Sequence, residues 1–290
     1  MGIPIVLDGG ADVPRGEESL IRVPLNLEIA GEHYEYPGIP KERVIGTILK
    51  NPPGSVKTSQ PSPKQIMSAI QEVSEESGSS EVLYITLSSG VSGTYNVARV
   101  VARMLEKKGI TLHVFDSKSV SGGIYLLARQ AMALSESRAT APEIISALER
   151  LRDRVRVYFT VPSLNYLVAG GRIDPFRAMV AKVFGILPII HVDGDGRLAL
   201  FATAKRKKVF SELADVIARE SAEGEPVFAA YTPCAEGYDE LFLEQLRFRD
   251  IEPVWHELLS PILTAHAGPC VAGAGFIAGE ADGDADGSGR

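Results

Sequence analysis

The chain has 290 residues, of which 45% are hydrophobic and 23% charged, and its formal net charge is -7. This composition is typical of a globular protein with room for one large domain or two modest ones. The acidic balance and the lack of a clustered basic face argue against nucleic acid, or an anionic membrane surface, as the main partner. The two cysteines lack zinc-site spacing and predict no disulfide framework, which favours a reducing compartment.

The sequence lacks clear targeting and cofactor-binding signals. The N-terminus lacks the positively charged region of a signal peptide, and no window is long and apolar enough for a membrane span. We therefore expect a cytoplasmic protein without a membrane span. The sequence contains no Walker-type phosphate loop and no histidine pair at ligand spacing, so we expect no cofactor and no metal ion.

The first half of the chain alternates between predicted strands and helices. A short strand over 3–7 opens it, and residues 21–50 interrupt the alternation as an inserted β excursion with a hairpin. Helices and strands then follow one another up to a strand over 155–161. This order predicts an α/β domain over residues 1–161, built on a parallel sheet with ligands at the C-terminal ends of its strands.

The pattern changes near residue 162. A Gly-Gly-Arg corner leads to a hairpin-like pair of strands within 186–202, and further helices and strands continue to about residue 279. We predict an α+β domain over residues 162–279. Residues 280–290 are too poor in apolar side chains to pack, which predicts a disordered tail.

Two hydroxyl-rich stretches precede helices in the first domain. Residues 58–62 read Thr-Ser-Gln-Pro-Ser before a helix that begins at Pro63, with a capping box from Ser62 to Gln65. Residues 87–96 read Leu-Ser-Ser-Gly-Val-Ser-Gly-Thr-Tyr-Asn between a strand and a helix. Free N–H groups and the positive end of the helix dipole suit an anion at such starts. Because ordinary capping uses one hydroxyl per helix, the surplus favours a binding function.

Nucleophilic catalysis is the alternative interpretation. Ser92 at a strand–turn–helix junction, Asp116 at the next strand end and His266 far downstream have the chain order of an α/β-hydrolase triad. The sequence Gly-Val-Ser-Gly around Ser92 lacks the Gly-x-Ser-x-Gly spacing of a nucleophile elbow. His266 lies in a Thr-x-His-x-Gly-Pro corner, where a histidine bonded to the turn is as consistent as a ligand contact. A serine hydrolase of acyl esters therefore stays open beside anion binding.

A basic run precedes a helix of the second half. Four cations at residues 205–208 oppose the dipole of the helix that they precede, which leaves a docking or phosphate-binding role open.

Five motifs follow one another along nearly the whole chain, to about residue 279. They are Thr58-Ser59-Gln60-Pro61-Ser62, Leu87-Ser88-Ser89-Gly90-Val91-Ser92-Gly93-Thr94-Tyr95, Asp116-Ser117-Lys118, Gly170-Gly171-Arg172-Ile173 and Thr264-Ala265-His266-Ala267-Gly268-Pro269. In this order they resemble the DegV family, the bacterial fatty-acid-binding subunits of fatty acid kinase. The resemblance implies a DegV-like fold, in which an α/β domain with a small β insertion is followed by an α+β domain.

The resemblance also implies a ligand and its site. One long-chain fatty acid is expected between the two domains, with its carboxylate bound by Thr58 and by a serine of the second motif, where we favour Ser92 over Ser89. The full carboxylate site is expected to comprise Thr58, Ser59, Ser89, Ser92, Gly93, Thr94 and His266. Contacts with the second domain, the phosphate or a partner are expected at Asp116, Gly171, Arg172 and Arg206.

A partner is implied as well. In the family, a separate kinase subunit that brings ATP phosphorylates the bound acid, and the binder carries the acyl phosphate onward without catalytic turnover of its own. Two features depart from the family pattern: Asp8-Gly9-Gly10 replaces an Asp-Ser turn, and Gly268-Pro269-Cys270 replaces Gly-Pro-Gly. Neither departure removes Thr58, Ser92 or His266.

Overall fold

A parallel sheet forms the centre of the first half of the protein. The computed structural model describes residues 2–17, 19–174 and 185–280. The sheet has the order β2-β1-β6-β7, and its neighbouring strands all run parallel. The strands are β1 (Ile5–Asp8), β2 (Arg22–Val23), β6 (Glu81–Thr86) and β7 (Thr111–Asp116). The predicted α/β class and its parallel sheet are confirmed.

Helices cover both faces of this sheet. They are α2 (Pro63–Ser77), α3 (Thr94–Glu106), α4 (Gly122–Glu136) and α5 (Ala141–Arg152). Successive β6 residues point to opposite faces: Val82 and Tyr84 pack with α2 and α3, whereas Leu83 and Ile85 join the large core that includes α4. The capping box predicted from Ser62 to Gln65 at the start of α2 is present, and Thr140 and Glu143 form a second one at the start of α5.

The inserted excursion is a separate three-stranded antiparallel sheet, in the order β4-β3-β5. Its strands are β3 (Leu25–Ile29), β4 (Glu32–Tyr36) and β5 (Lys57–Ser59). The predicted hairpin is confirmed as β3 and β4. Two details were not predicted: the excursion also contains a helix, α1 (Lys41–Ile48), and Thr58 lies on the strand β5 before α2.

A six-stranded sheet forms the second half, in the order β10-β9-β8-β13-β11-β12. All neighbours are antiparallel except β11 and β12. One face packs against α7 (Val209–Glu220) and α8 (Tyr238–Arg247), and the other joins the large core shared with the first sheet. The strands are β8 (Val155–Thr160), β9 (Ile186–Val192), β10 (Leu198–Lys205), β11 (Phe228–Tyr231), β12 (Trp255–Leu258) and β13 (Ala272–Ile277).

The prediction that the strand over 155–161 closes the parallel sheet was wrong. β8 lies between β9 and β13 in the antiparallel sheet. The residues of β8 are largely buried towards its C-terminal end, and such a pattern does not reveal which sheet the strand joins. The domain boundary at residue 161 stays a prediction, and most of the predicted tail, residues 281–290, lies outside the described residues.

The expectation that the cysteines form no disulfide was also wrong. Cys234 and Cys270 are bonded across 36 positions of sequence, joining the loop after β11 to the turn before β13. β11 and β13 are antiparallel neighbours, so the end of one strand lies beside the start of the other. In the described part of the chain, no helix is long and apolar enough to cross a membrane.

Candidate ligand-binding cavity

A cavity is lined by residues from both the first and the second half of the chain. It contains about 910 Å³ of space not occupied by atoms, its open mouth included. Its walls are mainly apolar and come from the loop after β6, the start of α4, the six-stranded sheet and α9 (Pro261–Ala267). Representative wall residues are Leu87, Val120, Phe159, Ala230, Leu259 and Ile262. Walls of this composition suit an apolar ligand.

Four polar side chains that line the cavity are Thr58, Ser92, Arg172 and His266, which we call the polar end. Thr58 Oγ1 and His266 Nε2 are 2.6 Å apart, a hydrogen bond between the insertion and the second half of the chain. Arg172 Nε donates to the carbonyl oxygen of Val91, next to Ser92, at 3.4 Å. These contacts bring together residues from four of the five motifs.

Local structure positions each of these side chains. Thr58 lies on β5, where it pairs with Leu27 of β3. His266 lies in the last turn of α9, whose start is capped by Ser260 and followed by Pro261. The N–H of Ser92 donates to the carbonyl of Ser88 at 3.0 Å, in the tight loop before α3.

His266 is neutral at neutral pH. Burial lowers its pKa to about 4, and the nearby positive charge of Arg172 adds to this shift. Its Nδ1 is buried and has no hydrogen-bond partner among the described residues. The permanent positive charge at the polar end is therefore that of Arg172, which is about half-buried and donates to the Gly170 carbonyl as well.

Three other residues of the predicted carboxylate site lie close to Thr58 or Ser92 in the chain. Ser59 lines the cavity beside Thr58. Gly93 lies so close to Gln60 that a Cβ at this position would be 1.8 Å from the Gln60 side-chain oxygen. Thr94 is fully buried at the start of α3, with its hydroxyl 3.0 Å from that of Ser92. Gly93 and Thr94 thus position the loop, whereas Ser59 and Ser92 line the cavity.

Ser89 and Asp116 form a separate cluster on the outer side of the same loop. The Ser89 N–H and hydroxyl both donate to the Asp116 carboxylate, at 3.0 and 2.5 Å, and the Lys118 N–H donates to it at 3.1 Å. Neither Ser89 nor Asp116 lines the cavity. Among the described residues, His266 contacts Thr58 and Asp116 contacts Ser89 and Lys118, so the hydrolase triad is not assembled.

Of the two remaining predicted residues, Gly171 lies next to the polar end and Arg206 lies outside the cavity. Gly171 has a φ of 70° and completes the turn after α6 (Asn165–Ala169) that presents Arg172. Arg206 does not line the cavity: it lies in a second surface depression with Lys207 and donates to the Tyr238 hydroxyl at 2.7 Å.

Two buried carboxylates were not identified as part of the site. Asp8 accepts the N–H groups of Gly10 and Leu87, and so anchors the loop from below. Asp12 accepts the Ser121 hydroxyl and the Ser260 N–H, which links a cavity-lining residue to the start of α9. Burial raises the pKa of both carboxyls to about 6. The sequence showed two acids in a Gly-rich turn, but it carried no signal of their burial.

The structure defines an α/β protein with an apolar cavity that has one polar end, and comparisons with known proteins identify the family. The profile of the DegV family, described as an uncharacterised protein family, matches residues 2–279. The chain therefore belongs to the DegV family. A "fatty acid-binding protein" of Thermotoga maritima is 30% identical over 292 residues, which cover 95% of this chain and 98% of that protein.

Solved structures agree with this assignment. A Thermotoga maritima protein, described as revealing a fatty acid binding function, has a TM-score of 0.81 at 27% identity and covers 96% of this chain and 99% of its own. A Streptococcus pneumoniae fatty acid kinase B3 protein, solved loaded with linoleic acid, has a TM-score of 0.80 with the same coverage. At 20% identity, the second likeness shows the fold alone.

Proposed function

We propose that this protein binds a long-chain fatty acid between its two predicted domains, residues 1–161 and 162–279. The acyl chain occupies the apolar cavity, and the carboxylate lies at the polar end. The observation that carries this proposal is that one apolar cavity is lined by Thr58, Ser92, Arg172 and His266 together. The fatty acid binding stated for the Thermotoga relatives supports it.

The energetics divide between the two ends of the ligand. Each buried methylene contributes about 0.8 kcal/mol, so a chain of roughly sixteen carbons supplies most of the affinity. The carboxylate then needs a few fixed donors, which the two hydroxyls and the guanidinium provide. Because His266 is neutral, Arg172 is the residue that balances the ligand charge.

Native mass spectrometry tests the binding proposal. Purified protein is measured as isolated, after delipidation, and after addition of palmitic acid or of hexadecanol, which has the same chain length without the carboxylate. We expect uptake of one palmitic acid per chain and weaker uptake of the alcohol. Failure of the delipidated, folded protein to take up any palmitic acid would contradict the proposal. Equal uptake of palmitic acid and hexadecanol would show that the protein does not recognise the carboxylate.

We further propose that the protein is a carrier and not an enzyme, and that it presents the carboxylate to a separate ATP-binding kinase subunit. In that step a carboxylate oxygen attacks the γ-phosphorus of ATP, the bond to the β-phosphate oxygen breaks, and acyl phosphate and ADP result. The carrier then transports the acyl phosphate and needs no cofactor or nucleic acid partner. Support comes from the kinase partner that membership of the DegV family implies and from Arg206 and Lys207 in the surface depression outside the cavity.

A phosphate-transfer assay with radiolabelled ATP tests the carrier role. Acyl phosphate should form only when the protein, the fatty acid and the kinase subunit are all present. Arg206→Met should lower the transfer rate and leave fatty acid binding unchanged. Acyl phosphate formed by the protein without the kinase subunit would contradict the division of labour.

We propose a cytoplasmic location, and the disulfide gives a way to test it. Disulfides are uncommon in the reducing cytoplasm, so in a cytoplasmic protein Cys234 and Cys270, which are bonded in the structure, should be found as thiols when cell extracts are alkylated at once. A bonded pair in rapidly quenched cells would argue for an oxidising compartment.

A further inference from the structure

His266 packs directly against Gly170. A Cβ at position 170 would lie 2.3 Å from His266 Nδ1 and 3.2 Å from Cε1, so the glycine leaves the space that the ring occupies. The backbone at Gly170, with φ -76° and ψ -11°, is in a conformation that any residue adopts. Glycine is therefore needed here for close approach and not for backbone freedom.

This contact determines which ring nitrogen carries the proton. A neutral imidazole has one N–H group, and the two nitrogens of His266 have different surroundings. Nε2 is 2.6 Å from the Thr58 hydroxyl, whereas Nδ1 is buried against Gly170 and has no hydrogen-bond partner among the residues that the structure describes. Nδ1 lacks a partner in either tautomer, but Gly170 presents a Cα hydrogen to it along the direction of the absent Cβ, and a proton on Nδ1 would crowd that hydrogen where a lone pair does not. The close contact with Gly170, together with the Thr58 hydrogen bond, assigns the proton to Nε2.

The tautomer in turn orients the Thr58 hydroxyl. When His266 Nε2 donates to Thr58 Oγ1, the hydroxyl proton of Thr58 is free to point into the cavity. In the opposite tautomer the Thr58 proton would be used by Nε2, and only oxygen lone pairs would face the ligand. Lone pairs repel a carboxylate, so only the first arrangement makes Thr58 a donor for a bound fatty acid.

We propose that Gly170 is a positioning residue, which holds His266 in the Nε2-protonated tautomer and thereby turns Thr58 into a dedicated hydrogen-bond donor. The site then selects acyl ligands whose head group accepts a hydrogen bond. This inference rests on the proposed fatty acid function for its ligand, but the tautomer is a property of the protein without ligand.

Nitrogen-15 NMR of the histidine rings in delipidated protein tests the tautomer. The His266 signals are assigned by their loss in His266→Gln. At pH 7 we expect a protonated Nε2 and an unprotonated Nδ1. A proton on Nδ1 would overturn the proposal, whether or not the protein binds fatty acid. Failure of wild-type protein to bind palmitic acid would instead contradict the proposed function and leave the tautomer result intact.

Gly170→Ala tests the positioning role. The new methyl group should displace the ring, change the His266 ring signals and weaken palmitic acid binding roughly tenfold, the effect of losing one hydrogen bond to a charged ligand. Gly46→Ala is the matched control, because Gly46 lies in α1 and no atom of the described residues is within 4 Å of its absent Cβ. Wild-type ring signals and wild-type affinity in Gly170→Ala would overturn the proposal. If Gly170→Ala does not fold, the tautomer measured by NMR in the wild-type protein decides whether the proposal stands.

Discussion

The loop over residues 87–96 has two faces that look alike in sequence and differ in structure. Ser92 lines the cavity and belongs to the polar end, whereas Ser89 is on the outer side and donates twice to Asp116. Both serines precede the same helix, and both are followed by glycine. Their hydroxyls nevertheless have different partners, one in the site and one in a surface cluster.

The backbone of the loop determines this division. The N–H groups of Val91 and Ser92 both donate to the carbonyl of Ser88, which closes a tight turn between the two serines. Asp8 accepts the Leu87 N–H from below, and Asp116 accepts the Ser89 N–H from outside. A surplus of hydroxyls at a helix start therefore marks a site without saying which hydroxyl serves it.

The largest expected effect comes from removing both hydroxyl donors of the polar end. Thr58→Val combined with Ser92→Ala should weaken palmitic acid binding by roughly a hundredfold or more, because each hydrogen bond to a charged group contributes about 1.5–3 kcal/mol. Titration calorimetry of delipidated protein gives the dissociation constant.

Ser89→Ala is the control for this pair. It removes a hydroxyl of the same loop that bonds to Asp116, so the dissociation constant should stay within about twofold of wild type. If Ser89→Ala weakened binding as much as Ser92→Ala, the assignment of the two faces would be wrong.

The next effect is on the stability of the protein, through Asp8, which supports the loop over residues 87–96. The pKa of Asp8 is about 6 in the folded protein against a usual 3.8, because burial disfavours the charged form. Between these values the folded state holds a proton that the unfolded state has lost. The stability that this proton contributes is complete below pH 4 and is lost as the pH rises to about 6, on the order of 3 kcal/mol.

Asp8→Asn isolates this contribution from that of Asp12, whose pKa is raised in the same direction. The free energy of unfolding, measured by urea denaturation from pH 4 to 7, should fall more steeply with pH in wild type than in the variant. Parallel curves would show that Asp8 titrates normally in the folded protein.

The smallest expected effect separates the two candidate arginines. Arg172→Met should weaken palmitic acid binding roughly tenfold and reduce its dependence on salt, since the charge at the polar end is lost. Arg206→Met should leave binding unchanged, because Arg206 lies outside the cavity. Equal losses in both variants would contradict the placement of the carboxylate beside Arg172.

Much of the local structure could be predicted from the sequence, because short-range patterns determine it. The Ser62 and Thr140 capping boxes mark two helix starts, and the alternation of strands and helices predicts the parallel sheet. The five motifs include all four residues of the polar end. Thr58 and His266 are 208 positions apart, and it was the family resemblance that associated them.

The features that were missed depend on long-range packing. β8 is apolar enough for either sheet, and its pairing with β9 and β13 is set by the whole second half of the chain. The bond between Cys234 and Cys270 follows from the pairing of β11 with β13. Single-sequence patterns report neither, because they do not reveal which distant segments meet.

A crystal structure with a fatty acid that carries bromine at its methyl end tests the central claim most directly. Anomalous scattering locates the bromine, and the electron density locates the carboxylate. We predict the bromine within the apolar cavity between the two sheets, and the carboxylate within hydrogen-bond distance of Thr58 and Ser92. A carboxylate beside Ser89 and Asp116, or an acyl chain outside the cavity, would contradict the account.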